Sequence, residues 1–302
     1  LKDRFGTSKG LLLKPERNNS FPYLGEKWEE YEHSYVPKTT APPEFGKRLV
    51  EFTRFVKESS AEEFAEKISG YVDLPAFLKF TALHAVLSHL DSFLLRGHNF
   101  YIYLPESTGK FHWIPWDVNS TFAGHRSAGN AAQQTDLSIK QPYADGVRLL
   151  SRILEIKTAR AEYRKQVEAI LAGPFKPETI RLRIEKILEV IGPAVATDRN
   201  IDLVRFKANF TKSKTAGSRG GQEEPRPEER SGARSGMQQK PMLADFIPAR
   251  ISSILSQLAD GREGYVPRLS NRRSRGDRGR RPEGNSRRPS RSPFPRRPGK
   301  EN

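Results

Sequence analysis

The spacing of apolar residues changes twice along the chain, and these changes predict its main elements. Apolar side chains recur at helical spacing over residues 49–56. Over residues 73–89 they cover nearly the whole circumference of a predicted helix, which is typical of a helix buried at the centre of a domain. Aromatic and β-branched residues then flank a polar turn over residues 100–114, which indicates a β-hairpin.

Capping signals and turn residues place the remaining elements. Ser60-Ala-Glu-Glu63 has the capping-box spacing, and Asp73 before Leu74-Pro75 is a second helix-start signal. Residues 1–43 are predicted to form loops and short elements, and residues 124–142 a polar loop. Further helices are predicted over residues 147–154, 163–171, 177–191 and 242–258.

These patterns predict an α+β fold that is mostly helical and carries one hairpin. Residues 212–240 are rich in Gly, Ser, Arg, Glu and Gln, which predicts a disordered insertion. Beyond Pro267 the chain consists mainly of Arg, Pro, Ser and Gly, which predicts an unfolded tail. We therefore expect one folded region over residues 1–267 and a disordered tail over residues 268–302.

The positive charge is concentrated in that tail. The chain has 302 residues, with 52 Lys and Arg, 36 Asp and Glu, and a net charge of +16. Residues 268–302 contribute 13 basic and 3 acidic side chains, a net charge of +10. Such a tail can attract nucleic acid or another anionic polymer. It has few aromatic side chains for base stacking, so a solvated tail is the simpler interpretation.

Several classes of protein are excluded by composition. The chain has no Cys, which rules out disulfides and thiolate metal sites. No apolar run approaches the roughly 18 residues that a membrane span needs. The first residues, Leu1-Lys-Asp-Arg-Phe-Gly6, are typical of neither a signal peptide nor a transit peptide. We expect a fragment of a longer protein or a processed product, and no compartment is assigned.

Two carboxylates and a carboxamide flank the predicted hairpin. Asp91 follows the central helix, Asn99 precedes the first strand and Asp117 follows the second. Because a hairpin brings its two ends together, Asn99 and Asp117 should lie close in space, and Asp91 is one short loop away. These side chains offer the hard oxygen ligands that Mg²⁺ or Mn²⁺ prefers.

Protein kinases place their functional groups in the same order: an Asp that orients the acceptor hydroxyl, a metal-binding Asn, a strand pair and a metal-binding Asp. The match is imperfect, because Asp91 and Asn99 are eight residues apart instead of five, and Asp117-Val-Asn119 replaces Asp-Phe-Gly. The alternative is structural: Asp91 and Asp117 would cap neighbouring segments, and Asn99 would close a turn. Spacing alone leaves both interpretations open.

Three stretches of the chain resemble the CotH (spore coat protein H) family of protein kinases. The first runs from Leu1 to Pro15 and contains Leu-Lys-Asp-Arg-Phe-Gly and Gly-Leu-Leu-Leu-Lys-Pro. The second runs from Asp91 to Phe122 and contains His-Asn-Phe-Tyr-Ile-Tyr and Gly-Lys-Phe-His-Trp-Ile-Pro-Trp-Asp. The third, near Pro267, contains Gly-Tyr-Val-Pro. Pro-Trp-Asp after a Tyr-rich hairpin is the most specific part.

This resemblance implies an atypical protein-kinase-like fold that transfers phosphate from ATP to Ser of spore coat proteins. It implies that Asp91 is the catalytic Asp, and that Asn99 and Asp117 bind the nucleotide and its Mg²⁺ or Mn²⁺. Asn119 would add a metal ligand, although the family more often has Asp there. His98 also matches a family position, but a turn His is usually structural. The implied partner is a protein with an exposed Ser.

The tail and the family's N-terminal lobe add further expectations. The tail itself is a candidate substrate, since Ser274, Ser286, Ser290 and Ser292 lie among arginines. In the family, an N-terminal lobe carries the Lys and the loop that clamp the nucleotide phosphates. We expect this chain, taken alone, to bind ATP poorly and to be inactive. The alternatives are a non-catalytic spore-coat or cell-envelope assembly protein, and a nucleic-acid binder acting through the tail.

Overall fold

A computed structural model describes residues 1–16, 21–125, 127–210 and 240–268. The helices are α1 (Lys2–Phe5), α2 (Pro43–Glu58), α3 (Ala61–Lys67), α4 (Leu74–Val86), α5 (Ala131–Thr135), α6 (Arg148–Glu155), α7 (Lys157–Ala172), α8 (Pro177–Thr197), α9 (Leu203–Ala208) and α10 (Leu243–Asp260). The strands are β1 (Gly10–Pro15), β2 (Tyr35–Pro37), β3 (Phe100–Pro105) and β4 (His112–Pro115). The predicted helices over 49–56, 147–154, 163–171, 177–191 and 242–258 are confirmed.

The predicted hairpin is confirmed and belongs to a larger antiparallel sheet. Strands β3 and β4 pair with Phe100 opposite Pro115 and Tyr103 opposite His112. Strand β1 lies between β2 and β3, so that the sheet order is β2-β1-β3-β4. The sheet therefore ties the hairpin to the N-terminal part of the chain.

The N-terminal segment is more regular than predicted, because residues 1–43 supply two of the strands in this sheet. Strand β1 buries Leu11 and Leu13 on one face, and Leu12 lies on the other, half-buried face. Since all three are leucines, the sequence shows no alternation of apolar and polar positions. The strand could not be distinguished by pattern from a short apolar loop.

Helix α4 lies at the centre of the domain, as its all-round apolar pattern predicts. Its first turn is capped by Asp73, whose Oδ1 accepts a hydrogen bond from the backbone N–H of Ala76 at 3.1 Å. The helix packs against α7 and β4. It buries the side chains of Phe77, Leu78, Phe80, Thr81, Ala82, His84, Ala85 and Val86.

The end of α4 differs from the prediction. The helix ends at Val86 rather than near His89, and Ser88 has a left-handed φ of 47°. The guanidinium of Arg250, from α10, donates hydrogen bonds to the carbonyls of Ala85 at 2.9 Å and Val86 at 3.2 Å. The Ala85 carbonyl also accepts from the backbone N–H of Ser88 at 3.1 Å, so this distant side chain adds hydrogen bonds to carbonyls at the helix end. Asp91 therefore lies in an irregular turn beyond the helix.

One short helix lies in a segment that was predicted to be a loop. The predicted polar loop over residues 124–142 contains α5, whose first turn is fixed by a capping box between Asn130 and Gln133. Of the predicted insertion over residues 212–240, only Lys240 lies among the described residues, and of the predicted tail only Arg268. Across the part of the chain that is described, no helix is both long and apolar enough to cross a membrane.

Candidate functional site

The open end of the hairpin brings together the segments that carry the candidate residues. The backbone N–H of Trp116 donates to the carbonyl of Asn99 at 3.1 Å. This bond lies one step beyond the Phe100–Pro115 pair of the sheet. Asn99 and Asp117 therefore lie at the neighbouring ends of two paired strands, where the hairpin geometry places them.

Two side chains at the start of the hairpin form hydrogen bonds to Asp91. Nδ2 of Asn99 donates to the backbone carbonyl of Asp91 at 2.8 Å. Nε2 of His98 lies 2.6 Å from Oδ1 of Asp91. The Asp91 side chain nevertheless remains 22% exposed, so its carboxylate is accessible to a reacting group.

The surroundings of Asp91 favour its ionised form. The hydrogen bond from His98 lowers the pKa of Asp91, and partial burial opposes this effect. The imidazole of His125, with Nδ1 3.6 Å from Oδ1, also lowers the pKa of Asp91. Hydrogen bonds to the charged form of a carboxylate stabilise that form. Asp91 is thus a hydrogen-bond acceptor at neutral pH.

Ser120 links Asp91 to the segment that follows the hairpin. Its Oγ lies 3.4 Å from Oδ2 of Asp91 and 3.0 Å from Oδ1 of Asn119. Because a hydroxyl has a single proton, it can donate to one of these oxygens at a time. Ser120, the residue after Asn119, therefore lies beside the Asp91 carboxylate.

A buried imidazole lies close to both carboxylate-bearing segments. His89 is fully buried, and burial lowers its pKa to about 3. The charge of Asp91 and the backbone of Asp117 act on this pKa in the opposite direction, which places both residues near the ring. Neither ring nitrogen of His89 has a hydrogen bond of good distance and angle within the described residues, so the Asp117 backbone is a close neighbour and not a bonded partner. The imidazole is therefore neutral at physiological pH.

The backbone around Asp91 adopts an uncommon conformation at several positions. Non-glycine residues with φ between 44° and 62° occur here at Ser88, Asn99, Asp117, Phe122 and Ala123. Each such residue costs on the order of 1 kcal/mol or more, although Asn and Asp tolerate the conformation best. The N–H of Phe122 donates to the carbonyl of Leu87 at 2.8 Å, which holds two of these turns together. Strain of this kind often accompanies functional sites.

The available donors fit a magnesium or manganese ion bound together with phosphate. Asp117 and Asn119 are exposed, and Asn99 uses its amide nitrogen on Asp91, which leaves its Oδ1 as the acceptor. Mg²⁺ in phosphoryl-transfer sites is typically held by one or two carboxylates, with phosphate oxygens and water completing the shell. Within the described residues, no three His, Asp or Glu side chains gather closely enough to hold a metal by themselves.

Two neighbours of Asp91 were not assigned any role from sequence patterns. Ser120 and His125 lie in a segment without helical or strand periodicity. Their position beside Asp91 depends on the packing of that segment against the end of α4. The metal-binding roles of Asn99, Asp117 and Asn119 remain predictions.

The sequence of this chain matches the model of a protein family. The model described as "CotH kinase protein" matches residues 1–215, a stretch that contains Asp91, Asn99, Asp117 and Asn119. This chain belongs to the CotH kinase family. The resemblance found in the sequence motifs is thereby confirmed. Helix α10 and the Gly-Tyr-Val-Pro motif before Arg268 lie beyond the matched stretch.

A Bacillus protein is similar in sequence to about half of this chain. The CotH-family chain is 28% identical over 152 residues to "Inner spore coat protein H" of Bacillus subtilis (strain 168). The aligned part covers 48% of this chain and 38% of that relative. The match therefore spans well under half of the relative's length.

Proposed function

We propose that this CotH-family chain is the catalytic part of an atypical, metal-dependent protein Ser/Thr kinase with a protein-kinase-like fold. The observation that supports this most strongly is the junction at the hairpin. The Asn99 side chain donates a hydrogen bond to the Asp91 carbonyl at 2.8 Å. The Asn99 carbonyl accepts one at 3.1 Å from the backbone N–H of Trp116, the residue before Asp117. This junction joins an Asp, an Asn and a second Asp across a strand pair, in the order that kinases use.

Each candidate residue has a defined role in this proposal. Asp91 accepts a hydrogen bond from the Ser hydroxyl of the substrate and holds it in line with the transferred phosphoryl group. His98 and His125 position the Asp91 carboxylate. Asn99, Asp117 and Asn119 would hold the Mg²⁺ or Mn²⁺. The metal supplies the positive charge that offsets charge on the ATP phosphates.

The proposed acceptor is a Ser in an exposed, unfolded segment. The Bacillus relative is named as an inner spore coat protein, so proteins of a spore coat are the first candidates. The chain's own tail is a second candidate, because its serines lie among arginines, which would be attracted to a site carrying Asp91 and Asp117. Phosphorylation would add roughly −2 per Ser and reduce the charge of the tail.

The alternative function is non-catalytic. The relative's name describes a coat component rather than an enzyme. A protein that kept the family fold but did not transfer phosphate would serve as an assembly factor in a spore coat or cell envelope. The two functions are distinguished by phosphoryl transfer. A nucleic-acid binder acting through the tail would instead show binding that weakens steeply with salt and is lost when residues 268–302 are removed.

The test is transfer of radiolabelled phosphate from ATP, with Mg²⁺ or Mn²⁺, by the full-length protein and by its Asp117→Asn variant. Asn tolerates the left-handed backbone of Asp117 as well as Asp does, so the fold should be unchanged. We expect at least about a hundredfold loss of transfer from the missing charge. Asp145→Asn, at another exposed Asp, is the matched control and should transfer normally.

Near-normal transfer by Asp117→Asn would refute the role of this residue. Absence of transfer by the unmodified protein with both metals would favour the assembly function.

A further inference from the structure

A lysine from outside the family match contacts the turn that carries two of the candidate ligands. Nζ of Lys240 donates to the backbone carbonyl of Asn119 at 3.3 Å. The same Nζ lies 5.4 Å from the centroid of the Phe122 ring, in a cation–π arrangement. The composition of residues 212–240 predicted disorder, but the structure places this last residue of the segment beside the candidate site.

The position of Lys240 is fixed by the helix that follows it. Helix α10 begins with Met242 as its N-cap residue, two positions after Lys240. Phe246, in the first turns of α10, is fully buried and packs edge-on against Phe122 at 5.5 Å between ring centroids. The backbone N–H of Phe122 in turn donates a hydrogen bond to the carbonyl of Leu87, at the end of the central helix. The lysine is therefore presented to the site by packed aromatic side chains.

The ammonium of Lys240 has no anionic partner in the part of the chain that is described. Its contacts are a neutral carbonyl and the face of a ring, which replace water only in part. An exposed cation without a carboxylate partner is a suitable contact for a mobile anion. The nearby candidate ligands Asp117 and Asn119 indicate that this anion is a phosphate.

We propose that Lys240 binds the terminal phosphates of the nucleotide at the candidate site. This inference rests on the proposed kinase function and extends it to a residue that neither the hairpin motif nor the matched stretch contains. A phosphate coordinated through a metal at Asp117 and Asn119 would lie within reach of Lys240, because Nζ already contacts the Asn119 backbone. The four-carbon stem of Lys lets the ammonium follow a phosphate over a short distance.

The experiment measures the dissociation constants of ATP, ADP and adenosine by calorimetry, with Mg²⁺ or Mn²⁺ present, for the protein and three variants. Lys240→Gln removes the charge and keeps a donor for the Asn119 carbonyl, and Lys240→Arg keeps the charge. Lys140→Gln is the matched control, because Nζ of Lys140 also donates to a carbonyl of a distant segment, that of Gly261 at 2.7 Å. Circular dichroism melts establish that each variant is folded.

We expect Lys240→Gln to weaken ATP binding about tenfold and to leave adenosine binding unchanged, as the loss of one charge-assisted hydrogen bond requires. The Arg variant and the Lys140→Gln control should stay close to the unmodified protein. ATP binding by Lys240→Gln equal to that of the unmodified protein would overturn the role of Lys240 and leave the kinase proposal standing. An equal loss for ATP and adenosine would overturn it as well, since Lys240 would then shape the site. If the full-length protein binds no nucleotide, the role of Lys240 and the kinase proposal both fail.

Discussion

The buried histidines beside the candidate site predict a specific loss of stability in acid. His84, in α4, is almost fully buried, and its Nδ1–H donates to the carbonyl of Phe80 at 2.8 Å. Its ring stacks on that of His89 at 5.0 Å between centroids. Burial, which disfavours the charged imidazolium, lowers the pKa of His84 to about 4.

The sign and the size of the effect follow from this pKa. The folded value lies below the ordinary value of 6.5, so the unfolded chain binds more protons between these two pH values. The stabilisation is therefore fully present above pH 6.5 and is lost as the pH falls toward 4. The gap between the two values corresponds to roughly 3 kcal/mol for His84.

The assay is urea denaturation between pH 7.5 and pH 4.5 for the protein and for His84→Leu. The variant removes the titrating group and keeps an apolar side chain in the core. We expect the free energy of unfolding to fall by roughly 2–3 kcal/mol more in the unmodified protein than in the variant over this range. Only the pH dependence matters, because the lost bond to Phe80 lowers the stability of the variant at every pH.

The control is His33→Gln, at an exposed histidine, which should follow the unmodified protein at each pH. Parallel profiles for the unmodified protein and His84→Leu would mean that His84 is not a neutral, buried group in the folded protein. The packing described at the end of α4 would then be wrong.

Two further substitutions test the packing that builds the site. In thermal melts, Gly10→Ala should destabilise the fold by more than about 1 kcal/mol, because φ is +141° and a Cβ would lie 2.2 Å from the carbonyl oxygen of Leu104. Gly70→Ala is the control and should have little effect, because there is open space around Gly70. Arg250→Met should lower the free energy of unfolding by about 3 kcal/mol or more, because the buried guanidinium donates to four backbone carbonyls at 2.7–3.2 Å. A change within about 0.5 kcal/mol, as expected for exposed Arg164→Met, would contradict those hydrogen bonds.

Elements with strong local signals were predictable from the sequence. Asp73 before Leu74-Pro75 marks the start of α4, because the cap and the proline act within one turn. The hairpin was recognisable because its strands are close in sequence and rich in aromatic residues. The same geometry implied that Asn99 and Asp117 lie side by side, which the sheet register supports.

Features set by distant contacts were not predictable. The end of α4 at Val86 is stabilised by Arg250, 164 residues later, which donates a hydrogen bond to the Val86 carbonyl. Strand β1 depends on pairing with β3, about 90 residues away in sequence. His125, Ser120 and Lys240 reach the candidate site only through tertiary packing. No local pattern in the sequence carries that information.

The most direct test of the account is phosphosite mapping by mass spectrometry after incubation with ATP and Mg²⁺ or Mn²⁺. The reaction should contain the protein and spore coat proteins with exposed Ser, and the parallel reaction should contain the Asp91→Asn variant. We predict phosphoserine on a coat protein or on residues 268–302 with the unmodified protein, and at least about a hundredfold less with Asp91→Asn. Phosphoserine that forms equally with the variant, or none with either metal, would contradict the assignment of this site as a kinase centre.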